Sequence, residues 1–188
     1  MSGVTVVCVT EKWILAVVQV PAEPSRYRVA VWRELRKAGA VPVSQGTWAL
    51  PAADVFRSAL ERAAAMATEG GGTVAMFDIH PHDEASRALV VDAFRRARED
   101  EWAEFVADCE KFTDEIAREV AKSKFTFAEL EEEEQSAERL RRWYRDLKKR
   151  DVLALPAADD AAQRLKDCDR VLGAYAEQVY AANRLADV

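Results

Sequence analysis

The apolar residues of this chain change their period once, near residue 83, and that change limits what each half can fold into. Before it, short runs rich in β-branched and aromatic residues alternate with amphipathic stretches. After it, apolar residues recur at three- and four-residue steps almost to the end. Strands have period two and helices period 3.6, so the first half reads as mixed and the second as helical.

In the first half, Lys12–Val20 (KWILAVVQV) is nearly continuous in apolar residues and predicts a central strand. Pro21-Ala22-Glu23-Pro24-Ser25 predicts a loop, with Ser25 as a plausible helix N-cap. From Arg26 the pattern is helical, with Val29, Trp32, Leu35 and Ala38 on one face and Gly39 as the stop. Ala40–Val43 and Thr47–Leu50 predict a hairpin about Ser44-Gln45-Gly46. A second helix is predicted from Ala52 to about Thr68, with Val55, Leu60, Ala63, Ala64 and Ala67 as its apolar positions. Gly70-Gly71-Gly72 has neither the lysine nor the spacing of a phosphate-binding loop and reads as a helix stop. Thr73–Ile79 (TVAMFDI) predicts a fourth strand. The order β-α-β-β-α-β predicts a ferredoxin-like domain over residues 1–82, an antiparallel sheet with both helices on one face.

In the second half, Phe94, Arg98, Trp102, Phe105, Cys109, Phe112, Ile116 and Val120 form a heptad-like seam from Ser86 to about Lys122. Such a seam needs a partner helix, in this chain or in a second subunit. Thr126 and Glu129 make a capping box for a helix running to about Arg150, with Leu130, Ala137, Leu140, Tyr144 and Leu147 facing inward. A last helix is predicted from about Asp159 to Leu185, with Leu165, Cys168, Leu172, Tyr175, Val179 and Ala182 on one stripe. The fold class is therefore α+β: the ferredoxin-like domain, then an α-helical domain of about three helices over residues 83–188.

The longest uncharged apolar run, near Trp13–Val18, is far short of the ~20 residues a membrane helix needs, and no basic leader opens the chain. Cys8, Cys109 and Cys168 form no CxxC pair, which predicts reduced thiols in the cytoplasm, serving as core filler.

The net charge of −6 is unevenly spread. Residues 1–60 carry +3, residues 61–98 carry −1, residues 99–138 carry −11 and residues 139–188 carry +3. An acidic total argues against bulk attraction to nucleic acid, but a basic face in the first sixty residues can still meet phosphate or another oxyanion. Arg26 and Arg28 at the helix start, with Arg33 and Arg36 further along, are the candidate anion- or DNA-binding residues. The competing reading pairs these arginines with Glu23 and Glu34. The run Glu131–Glu134 reads as a solvated helix face, with an acidic docking surface as the alternative.

Asp78, His80, His82 and Asp83 are weak candidates for a divalent metal, because Pro81 constrains the loop that carries them. Trp13 and Trp48 lie on predicted strands, with core packing the simpler reading and base stacking the alternative. No GxSxG, HExxH, GxGxxG or Walker pattern occurs, so neither a catalytic residue nor a cofactor is assigned, and a non-enzymatic role is expected.

Two stretches, Trp13–Pro51 (WILAVVQVPAEPSRYRVAVWRELRKAGAVPVSQGTWALP) and Arg96–Asp151, the latter containing Lys124-Phe-Thr-Phe-Ala-Glu-Leu-Glu-Glu, resemble the N-terminal region of the bacterial chromate resistance ChrB family. The resemblance implies a role in chromate resistance, as a chromate-responsive regulator of an efflux operon or an accessory protein. Its implied partners are chromate or another oxyanion, and promoter DNA. Longer members of that family carry a further C-terminal domain. A weaker likeness, of element order, is to CRISPR-associated ferredoxin-like nucleases and to the C-terminal domain of PaaX-type repressors. Those nucleases place a metal-binding aspartate near the end of the first strand, where this chain has Gln19. A neutral amide lacks the charge a hard cation prefers, so nuclease or hydrolase activity stands as the alternative reading only. Such folds commonly dimerise, which by analogy implies a homodimer.

Overall fold

A computed structural model describes residues 12–184. The chain runs β1 (Trp13–Gln19), α1 (Ser25–Ala38), β2 (Val41–Ser44), β3 (Thr47–Pro51), α2 (Asp54–Glu69), β4 (Thr73–Ile79), α3 (Glu84–Ala121), α4 (Phe127–Arg150) and α5 (Ala157–Arg184). The fold is α+β, with four strands in one antiparallel sheet and five helices. Cys8 and Leu185 lie outside the described residues. No helix among those described is long and apolar enough to cross a membrane.

Two compact units divide the chain. Among the described residues, the first holds 12–98 and 149–154, and the second holds 99–148 and 155–184. The chain therefore changes unit inside α3, sixteen residues after the change of apolar period, and returns briefly to the first unit at the end of α4.

In the first unit the strand order is β2-β3-β1-β4. β1 pairs antiparallel with β3 (Ile14 opposite Leu50) and with β4 (Ile14 opposite Asp78). Its central place explains its near-continuous apolar character: Trp13, Ile14 and Ala16 are fully buried. The β2–β3 hairpin turns at Gly46, whose φ of +70° suits glycine and whose carbonyl accepts from the Val18 amide at 2.7 Å. Val31, Leu35 and Ala38 of α1 and Phe56, Ala59, Leu60, Ala63 and Ala67 of α2 are the buried helix positions. The start of α3 adds Val90, Val91 and Phe94 to this core. Phe94 meets Trp13 edge-on at 5.9 Å and Phe56 at 6.1 Å.

Three expectations are corrected here. Val29 and Trp32 face outward on α1, since the buried stripe runs through Val31, Leu35 and Ala38. Val55 is likewise exposed and Phe56 takes the core position on α2. Ser25 is the first residue of α1; Pro24 stands at the N-cap, after a cis Glu23–Pro24 bond, and supplies no capping side chain.

Arg98, read from sequence as a member of the apolar seam, is buried in the first unit. Its guanidinium donates to the Gly39 carbonyl at 3.2 Å and lies 4.7 Å from the Phe94 ring centroid. Arg150 donates to the Lys37 carbonyl at 2.9 Å. Two guanidinium groups thus serve the C-terminus of α1, where orphan carbonyls and the helix dipole favour positive charge.

In the second unit, Trp102, Phe105, Cys109, Phe112 and Ile116 of α3 are buried, as are Leu130, Ala137, Leu140 and Leu147 of α4 and Cys168, Leu172, Tyr175 and Val179 of α5. The partners the seam requires are therefore supplied within this chain. Phe105 contacts Trp143 at 5.4 Å and Tyr144 at 5.8 Å. The Cys168 thiol donates to the Cys109 carbonyl at 3.5 Å, and the Arg141 guanidinium meets Asp169 at 2.7 Å. Contact with Cys168 first, and burial second, push the Cys109 thiol far up, so Cys109 packs as a small protonated side chain.

Candidate anion interface

The first strand leaves the sheet at Gln19, and the proline-rich loop that follows starts α1 at Ser25. No side chain caps the helix start, and its first turn contains no acidic residue. Its free N–H groups and the positive end of its dipole therefore face outward unopposed.

Arg26, Arg28, Arg33 and Arg36 are all exposed. At 100° per residue, Arg33 and Arg36 share a face with Val29 and Trp32; Arg26 and Lys37 flank it on one side and Arg28 on the other. Arg26 stacks on Tyr27, 4.8 Å from its ring centroid, and donates to its hydroxyl at 3.2 Å. Arg36 lies 5.6 Å from the Trp32 ring centroid. Neither contact neutralises charge. Among the described residues, none of the four arginines forms an ion pair. The pairing expected with Glu34 is taken by another residue: Arg62 of α2 holds Glu34 at 2.7 Å.

Trp32 is the residue of this face that sequence reasoning missed. It is 51% exposed and Val29 is 40% exposed, so an apolar centre sits among the cations. The signal was available: Trp32 and Arg36 are four apart, on the same side as Val29, and they leave the Val31–Leu35–Ala38 stripe to the core.

The metal candidates do not converge. Asp78, His80, His82 and Asp83 are exposed at the end of β4 and the start of α3. Among the described residues, no three His, Cys, Asp or Glu side chains come together as a ligand set. Asp83 instead caps α3, accepting from the Ser86 amide at 2.7 Å, and that bond holds its carboxyl below the usual range. Gln19 is exposed beside Thr73 in the β1–β4 register. Trp13 and Trp48 are buried in the core and present no stacking platform.

The acidic run is not uniformly solvated. Glu131, Glu132 and Glu134 are exposed, but Glu133 is buried, one of few charged residues inside the molecule. It lies three residues after Leu130 and four before Ala137, on the apolar stripe of α4.

Comparison with known proteins adds a family to this geometry. The model of the family described as "Protein ChrB, N-terminal" matches residues 28–186, which takes in Arg28, Arg33 and Arg36 and starts two residues after Arg26. "Protein ChrB" of Cupriavidus metallidurans (strain ATCC 43123 / DSM 2839 / NBRC 102507 / CH34) is 29% identical over 96 residues. That stretch is 51% of this chain and 29% of the relative, so it spans less than a third of the relative's length.

Proposed function

The chain belongs to the ChrB N-terminal family, and from that premise we propose that it is a non-enzymatic cytoplasmic regulator or accessory protein of chromate resistance, whose basic α1 face binds the phosphate backbone of promoter DNA. In this reading the first unit is a ferredoxin-like module, the second a three-helix bundle, and the working form is a homodimer.

The observation that carries the reading is the set of four exposed arginines on α1 with no acidic partner among the described residues. Their spacing favours a polyanion over a single small ion. Arg26 and Arg36 are ten residues apart, about 15 Å along the axis at 1.5 Å per residue. One tetrahedral oxyanion cannot bridge that distance, whereas successive phosphates of a nucleic acid can. Chromate then acts as the signal that releases the DNA. A metal-dependent nuclease has no support in the scattered Asp78, His80, His82 and Asp83.

Titration of the purified protein against its own upstream promoter DNA tests the reading, at low and moderate salt, with and without chromate. Sequence-specific binding that chromate reverses is the expected result. No binding at low salt removes the DNA reading. Trp32 favours one second reading: an exposed tryptophan framed by arginines also has the composition of a protein hot spot, which would dock an acidic protein.

A further inference from the structure

The anion face leaves unused the most unusual group in the second unit, the side chain of Glu133. It is 6% exposed on the apolar stripe of α4. Among the described residues it makes no hydrogen bond or ion pair. The charged groups facing it are mostly of its own sign: Glu115 and Glu119 from α3, Glu129 and Glu132 from α4. The cation of this cluster, Lys124 in the α3–α4 connection, is held by Glu119 at 3.1 Å and by Glu129 at 3.2 Å. Lys122 sits 3.5 Å from Glu119. From α5, the Tyr175 hydroxyl donates to the Lys124 carbonyl at 2.5 Å.

An ionised carboxylate here would give up most of its hydration without a protein partner in exchange, and four like charges would oppose it. The neutral acid, by contrast, fits the stripe between Leu130 and Ala137. We propose that Glu133 is a proton-operated switch of the helical unit: protonated, it packs as a neutral core side chain; ionised, it is driven out of the α4 stripe and loosens the helix contact it occupies. Burial first, and the neighbouring carboxylates second, push its pKa up to about 7, so the two forms exchange near neutrality.

The sign follows from linkage. The folded unit holds a proton that the unfolded chain has already released above the ordinary value of 4.5. The stabilisation from this group is complete below that value, falls as pH rises toward about 7, and changes little above it.

Carboxyl carbon-13 spectra of the full chain across pH 4–9, with Glu133→Gln identifying the resonance, test the switch. One glutamate is expected to titrate near neutrality. Glu115→Gln, at an exposed position, is expected to lower that midpoint, and it keeps the test open if Glu133→Gln fails to fold. In thermal melts, Glu133→Gln is expected to exceed the parent at pH 8 and match it at pH 5. A Glu133 resonance titrating in the ordinary carboxylate range, or a melting difference independent of pH, overturns the proposal.

Discussion

Glu34, the one acidic residue of α1, is held by Arg62 of α2 at 2.7 Å, and its carboxylate is mostly buried there. The pair does two things at once. It ties the two helices of the first unit together across 28 residues of sequence, and it directs the only negative charge of α1 away from Arg26, Arg33 and Arg36. The basic face is therefore unopposed because of a contact made at its edge, where α1 meets α2.

Substitution on the face should weaken anion binding and leave the fold intact. Arg33→Ala with Arg36→Ala removes two exposed cations that support nothing in the core. Each lost phosphate contact should weaken DNA binding about tenfold, taking roughly 1.5 kcal/mol for a charge-assisted hydrogen bond, and reduce the salt slope by about one. Arg26→Ala with Arg28→Ala should act in the same direction. DNA titrations at several salt concentrations, with circular dichroism melts as the control, check this. Unchanged affinity in both double variants would remove α1 from the interface.

Arg62→Gln should act on the same binding from a distance. It releases the Glu34 carboxylate beside the face without altering any residue on it. Affinity for DNA should fall at low salt and recover toward the parent value at high salt, where the added repulsion is screened. Glu34→Gln combined with Arg62→Gln should restore the low-salt affinity, since no charge is then released. A double variant as weak as Arg62→Gln alone would mean that Arg62 itself touches the anion.

Gly39→Ala should destabilise the first unit for two reasons that add. Gly39 has φ of +88°, a left-handed conformation that costs a side chain. A Cβ there would also overlap the guanidinium of Arg98, which is buried against Phe94 and has little room to move. The expected loss is about 1–3 kcal/mol, read as a shift in denaturant midpoint. Gly71→Ala is the comparison: its φ is +71° but its surroundings are open, so only the backbone part is lost. Equal losses at the two positions would mean that the Arg98 contact contributes nothing.

The limits of sequence reading follow from the same residues. β1, the hairpin and the three long helices were legible because period and turn chemistry are local properties. The capping box was legible too: Thr126 accepts from the Glu129 amide at 3.2 Å, as its spacing implies. What was not legible depended on partners distant in sequence. Arg98 and Glu133 occupy apolar-stripe positions, and only packing shows which charged residue on a stripe is buried. The three-residue spacing of Val29, Trp32, Leu35 and Ala38 points Trp32 inward, whereas the buried stripe runs through Val31, Leu35 and Ala38. The freedom of the α1 arginines rested on Arg62, 28 positions after Glu34. Sequence could nominate the basic face but not show that its one nearby acid was already engaged.

Lys124 sets the acid limb of stability in the second unit, with a sign opposite to that of Glu133. It meets Glu119 at 3.1 Å, and this ion pair, supported by Lys122, holds the Glu119 carboxyl below its ordinary value of 4.5. A carboxyl with a lowered folded pKa stabilises above its unfolded value, and that contribution is lost as pH falls through the folded one. Glu119 thus favours neutral pH while Glu133 favours acid, and the two should give the second unit a stability maximum at mildly acidic pH. Lys124→Gln keeps the backbone carbonyl that accepts from Tyr175 but removes the ammonium. The variant should lose stability at pH 7, approach the parent below pH 4, and move its maximum to lower pH. Parallel melts of parent and variant from pH 3.5 to 8.5 check this; curves offset by a constant amount would show that Lys124 acts through packing and not through the Glu119 charge.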